Sequence, residues 1–178
     1  LGIGERREHR PAPRRRQRQI LGFGEVPDDI LAEVVGAAEE IALLEHSGEF
    51  LRELEKTAMF KSYKPVIVLG MLAVNGFEQG ASIEKLAAEF RRHFLKPKYQ
   101  VDLIGTEIFK ITEVSEPKLI TYLKKNPIHF WCKPDNAFFK VDDQGRFAYT
   151  RELPSQLELF LQWVREIAEY RILNYMAG

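Results

Sequence analysis

Cysteine is all but missing: Cys132 is the single one in 178 residues. That excludes an intrachain disulfide and any cysteine-rich zinc site. Long hydrophobic runs are missing too. The longest, Pro65 to Val74, is ten residues including Gly70, well short of the roughly 20 needed to span a bilayer. No apolar leader precedes a small-residue cleavage site. These absences lead to the expectation of a cytoplasmic protein with no membrane partner. Histidine is scarce, and the four at positions 9, 46, 93 and 129 lack metal-ligand spacing. There is no phosphate cradle, since the glycines at 2, 4, 22 and 24 follow no strand and lead into no Gly-Lys-Ser/Thr. No serine sits in a nucleophile elbow. The chain therefore reads as non-catalytic, with no catalytic residue, metal or cofactor expected.

Formal net charge is zero, but the charge is unevenly distributed. Residues 1–20 and 91–151 each carry +5, and the remainder carries the balancing negative charge. Such asymmetry is compatible with a polyanion-facing side. The chain begins at Leu1 and its first Met is Met59, so it is expected to be a fragment of a longer polypeptide. Residues 1–25 combine Gly, Pro and Arg without an apolar period, which is linker chemistry.

From 26 to 178 the pattern is mainly helical. Pro27, Asp28 and Asp29 signal a helix start, followed by a stripe of Ile30, Leu31, Val34, Val35, Ala38, Ile41 and Ala42. A break is expected at His46-Ser47-Gly48, with a short helix after it. Ser62 is placed as the N-cap of a helix that is apolar on every side from Val66 to Val74 and therefore central. Asn75-Gly76 ends it. Ser82 opens an amphipathic helix with Ile83, Leu86, Ala87, Phe90 and Phe94 inward, and with Glu84, Lys85, Glu89, Arg91 and Arg92 toward water. Two short strands are expected, Val101–Ile104 and Ile108–Ile111. Ser115 caps a third helix that must stop by Asn126, because the residue before Pro127 resists the helical region. His129 is then read as starting a strand. Phe138–Val141 and Arg146–Tyr149 flank Asp142-Asp143-Gln144-Gly145, a hairpin pattern. A long last helix follows Pro154, expected to pack on the helix from Pro27.

This order predicts a mainly α fold with a small β hairpin (α+β). Its core is winged-helix-like, about residues 62–150, flanked by long N- and C-terminal helices. The stretch between the second and third helices, about 95 to 114, is longer than the three- or four-residue turn of a helix-turn-helix.

Two sets of polar residues are candidate sites. Asp102, Glu107 and Lys110 bear comparison with a nuclease's carboxylates and lysine. Glu107 and Lys110, however, are three apart and point to opposite faces of a strand, so they read as surface charges. The basic set holds more promise. Lys118, Thr121, Lys124 and Lys125 fall on the outer face of the third helix, where a winged helix reads a groove. Lys140 and Arg146 flank the hairpin tip, and Lys96 and Lys98 lie in the preceding loop. These residues are candidates for phosphate contacts; an ordinary solvated face is the alternative.

The segment Phe50–Leu72, FLRELEKTAMFKSYKPVIVLGML, is similar to the region after the motor of bacterial superfamily-two (DEAD/DEAH-box) helicases of the restriction and phage-defence type. There a Met-x-Lys-Ser-Tyr-Lys element leads into a buried helix. Here it is Met59-Phe60-Lys61-Ser62-Tyr63-Lys64-Pro65, with Phe60 departing from the expected polar residue. The Ser-Tyr-Lys-Pro helix also resembles one in modules ahead of HNH endonuclease domains. The resemblance spans about residues 26–176. It implies a helicase-associated accessory domain of 26–178 behind a basic connector of 1–25. DNA and the motor domain of the same polypeptide are its implied partners. Lys61, Ser62, Tyr63 and Lys64 match the signature in a structural role. A scaffold that packs on the motor or recruits a partner nuclease is the alternative reading.

Overall fold

The computed structural model describes residues 28–133 and 137–177; the expected basic connector at 1–25 and the start signal at Pro27 lie outside them. The chain divides into two compact units, 1–39 and 40–178.

Helix α1, Asp28–Lys56, runs unbroken through the expected stop at His46-Ser47-Gly48. The reason is packing: Leu43, Ser47, Phe50, Leu51 and Leu54 recur on one helical face and are all buried. A small residue at 47 suits that face, and tertiary burial outweighs the weak helix preference of Ser and Gly. The earlier part of the expected stripe behaves otherwise. Ile30, Val34 and Ile41 are exposed.

Helix α2, Tyr63–Ala73, buries Tyr63, Pro65, Val66, Ile67, Val68, Gly70 and Met71. It is the central helix its uniform apolarity predicts. Asn75 ends it in the left-handed region, at φ 56°, a conformation that Asn tolerates better than most residues. A short α3, Gly76–Gln79, leads to β1, Ala81–Ser82. The sequence pattern did not reveal β1, which is two residues long. Ser82 then caps α4, Ile83–Phe94, its hydroxyl accepting from the Lys85 amide at 3.3 Å. Ile83, Leu86, Ala87, Phe90 and Phe94 are buried as the period requires.

The expected strands at 101–104 and 108–111 do not form. The segment instead holds α5, Pro97–Gln100, a 3₁₀ turn at Val101–Leu103, and a series of tight turns. Local bonds satisfy its backbone, including Thr106 N to Leu103 O at 3.1 Å and Phe109 N to Thr106 O at 3.2 Å. Gly105 takes a left-handed φ of 79°. Leu103, Ile108, Ile111 and Val114 are pressed into the core as isolated pegs. Arg91, expected to face water, holds the segment in place. Its guanidinium donates to the carbonyls of Ile111 and Val114, the latter at 2.6 Å.

Helix α6, Glu116–Leu123, does not stop before Pro127. It continues through a π turn, Lys124–Ile128, into α7, His129–Cys132. The wider π turn admits the proline ring, which an α-helical interior would exclude. His129 is thus helical rather than the start of a strand.

Strands β2, Phe139–Val141, and β3, Arg146–Tyr149, form the expected hairpin. The antiparallel sheet has the order β1-β3-β2, with Ala81 opposite Phe147 and Phe139 opposite Tyr149. The elements together make a mainly α fold with a small three-stranded antiparallel sheet (α+β). Helix α8, Leu157–Ala177, closes the unit through Phe160, Val164, Ala168 and Ile172. Its principal neighbour is α2 rather than the expected α1. It also meets α1, where Phe160 lies against Phe50 with centroids 6.0 Å apart. Phe50 sits in a ring of aromatic side chains, with Phe77, Phe138, Phe139 and Tyr149 around it. A second cluster joins Tyr63 to Phe90, Phe94 and Tyr122.

Candidate functional site

The Lys61–Lys64 signature is built around Asp102. This carboxylate is buried, at 4% exposure, rather than the surface charge its sequence context implied. Its Oδ2 accepts from the Ser62 amide at 2.7 Å and from the Ser62 hydroxyl at 2.6 Å. Lys61 Nζ lies 3.6 Å from Oδ1, and the Tyr175 hydroxyl lies 3.1 Å from the same oxygen and 2.9 Å from Phe60 O. Ser62 was expected to cap α2 with its own side chain. Instead a carboxylate forty residues away takes the free amide at the positive end of the helix dipole.

The other two signature residues are also held internally. Tyr63 is buried, its hydroxyl 3.4 Å from Asp102 O, and burial raises its pKa. Lys64 donates to Thr57 Oγ1 at 2.8 Å and lies 5.1 Å from the centroid of Trp131. The indole of Trp131 donates to Lys64 O at 3.2 Å. Burial lowers the Lys64 pKa, against a smaller opposing effect of Glu53.

The basic candidates fall into separate places. Lys118, Lys124 and Lys125 are exposed on α6 and its π continuation, opposite the buried Leu119 and Leu123, and form no ion pair among the described residues. The Thr121 hydroxyl is turned back onto Pro117 O at 2.8 Å. Lys140 is exposed on β2. Arg146 is not free at the hairpin tip. Its Nε bonds Asp142 Oδ2 at 3.0 Å, while Asp142 Oδ1 accepts the amides of Gln144 and Arg146. These bonds, the Arg146 amide first, hold the Asp142 pKa below its ordinary value.

Lys96 and Lys98 are exposed beyond the end of α4, and Lys98 lies over the Tyr99 ring at 4.7 Å. Lys96 lines a groove with Gly70, Arg92, His93 and Arg165, so it does not join the α6 lysines. In that groove His93 stacks on Tyr99 with centroids 4.1 Å apart, and its Nε2 is buried without a partner. Burial, aided by Lys96 and Lys98 and opposed by Asp102, pulls its pKa down to about 4.

The nuclease-like trio is dispersed. Asp102 is buried beneath Ser62, Glu107 is exposed, and Lys110 pairs with Glu113 at 3.5 Å. Among the described residues no three His, Cys, Asp or Glu side chains converge as a metal-ion set, and no helix is long and apolar enough to cross a membrane.

Sequence reasoning set Asp102 only in the nuclease-like trio and did not foresee its bonds to Ser62, nor the approach of Tyr175 to it. A signal for Asp102 was there: an acid set among Val101, Leu103 and Ile104. It also missed an apolar groove of about 200 Å³ beside the signature, lined by Phe60, Lys61, Lys64, Asn126, Pro127 and Phe130 among others. No known protein family, no curated protein and no solved structure matches this chain.

Proposed function

We propose that this chain is a non-catalytic nucleic-acid-binding accessory module, one that helps a cytoplasmic helicase motor grip DNA. The observation that carries the nucleic-acid part is the solvent face of α6. In a winged-helix-like arrangement the third helix is the one offered to a groove. Here that helix and its continuation present Lys118, Lys124 and Lys125 without ion-pair partners among the described residues. Lysines free of carboxylates can neutralise phosphates without first breaking a bond within the protein. The helicase part rests on the resemblance of Phe50–Leu72 alone.

The long 95–115 connection keeps α4 and α6 from forming a tight helix-turn-helix. Sequence reading by base contacts is therefore not part of the proposal. Binding of the Lys124→Ala/Lys125→Ala double variant to duplexes of unrelated sequence tests it: the loss should be the same for every duplex.

A second reading has its own observation. A groove of about 440 Å³ between α1 and α8 is lined by Leu44, Leu51, Trp163, Ile167 and Tyr170, among others. Leu44 and Tyr170 are exposed there, as is Leu173 further along α8. Such a surface suits a protein scaffold that packs on a neighbouring domain.

A further inference from the structure

Phe60 is the most exposed large apolar side chain among the described residues, at 95%. A phenylalanine in that position forgoes a burial that ordinarily dominates local energetics. Its backbone, by contrast, is firmly held. The Tyr175 hydroxyl lies 2.9 Å from Phe60 O, and two residues on the Ser62 amide is fixed to buried Asp102 at 2.7 Å. The loop between α1 and α2 thus presents an aromatic ring to solvent from an anchored frame, so little conformational freedom remains to be lost on binding.

A second ring lies across the groove. Phe130 of α7 is 46% exposed and lines the same depression as Phe60. Among the described residues the lining contains Lys61, which is paired with the buried Asp102 at 3.6 Å, and Lys64, and no acidic residue. Lys133 sits 5.9 Å from the Phe130 centroid, and Lys124 and Lys125 directly precede the lining residues Asn126 and Pro127. Exposed aromatic faces in a cationic surround are the chemistry that holds unpaired bases, by stacking on the ring and by neutralising the adjoining phosphates.

We propose that the Phe60–Phe130 groove is a stacking site for unpaired nucleotides, placing single-stranded nucleic acid beside the lysines of α6. The proposal rests on the nucleic-acid reading above and adds the strandedness of the substrate. An acidic peptide would satisfy the lysines but has no flat base to occupy the two rings.

The test uses the 178-residue chain with three labelled probes at one low salt concentration: an oligothymidine strand, an abasic strand of the same length, and a blunt duplex. Phe60→Ala, and separately Phe130→Ala, should weaken oligothymidine binding by roughly 5- to 100-fold while leaving the abasic strand and the duplex within about twofold. Phe60→Trp should restore binding. Because Phe60 packs on so little, its variants should melt with the wild type.

Unchanged oligothymidine affinity in both Ala variants, with duplex binding still weakened by Lys124→Ala/Lys125→Ala, overturns the stacking site and leaves the module's function standing. Equal losses on the abasic strand overturn it as well, because the rings would then not be reading bases. Displacement of the strand by an oligoglutamate peptide with the same Phe60 dependence reassigns the groove to acidic peptides and overturns it. A wild-type chain that binds no nucleic acid at all overturns both proposals.

Discussion

The carboxylate of Asp102 is the acceptor for two donors of one residue, the amide and the hydroxyl of Ser62. Neither donor has water to turn to, since Ser62 is fully buried. Asp102→Ala should therefore cost about 3–5 kcal/mol, the range for removing one partner of a buried charged network. Ser62→Ala, which leaves the amide bond intact, should cost roughly 1.5–3 kcal/mol. Urea denaturation measures both. An Asp102→Ala midpoint equal to the wild type would show that α2 is not tied down here. His93 gives a second expectation at this scale. Its folded pKa of about 4 lies below the ordinary 6.5. Between those values the unfolded chain binds a proton that the folded chain refuses, so stability rises with pH through that window. The contribution is present above pH 6.5 and is lost as pH falls toward 4. Carboxylates also titrate in acid, so the measurement is the difference between wild type and His93→Gln. The stability-against-pH curve should be flatter for the variant from pH 6.5 to 4.

The elements show which physical signals a linear pattern carries. Ile67 and Met71 of α2 are fully buried, whereas Leu69 is only partly so. Ile67→Ala should cost about 2–5 kcal/mol and Leu69→Ala distinctly less; thermal melts of the two variants check the order. The position of α2 at the centre was legible because it has no polar face. The inward face of α4 was legible from its period, and the hairpin from its turn residues. Other features depend on partners distant in sequence. The uninterrupted α1 depends on burial of Ser47 and Gly48, which no local preference announces. Helix α6 passes Pro127 by widening into a π turn, an option that the rule for residues before proline does not anticipate. The 95–115 segment is rich in β-branched residues and reads as strands, yet it folds as turns because Gly105 reverses the chain and the Arg91 guanidinium takes two of its carbonyls. The site divides the same way. The exposed lysines of α6 were readable as a helix face, whereas the engagement of Arg146 by Asp142 and the convergence on Asp102 need the folded chain.

Over the whole molecule the formal charge is zero, so affinity for a polyanion has to come from local arrangement rather than from a global field. The two functional readings place it on different surfaces. Under the scaffold reading, Tyr170→Ser and Leu173→Ser on α8 disturb the protein's associations, and the lysines of α6 are incidental. Under the nucleic-acid reading, those α8 changes leave duplex binding untouched. The most direct test is the salt dependence of duplex affinity for the wild type and for Lys124→Ala/Lys125→Ala. Each lost phosphate contact removes about 0.9 from the slope of log affinity against log salt. The account predicts a slope shallower by roughly 1.8 in the double variant, the same for every duplex sequence. Two parallel lines, or a wild type that shows no salt-dependent binding at all, would contradict it.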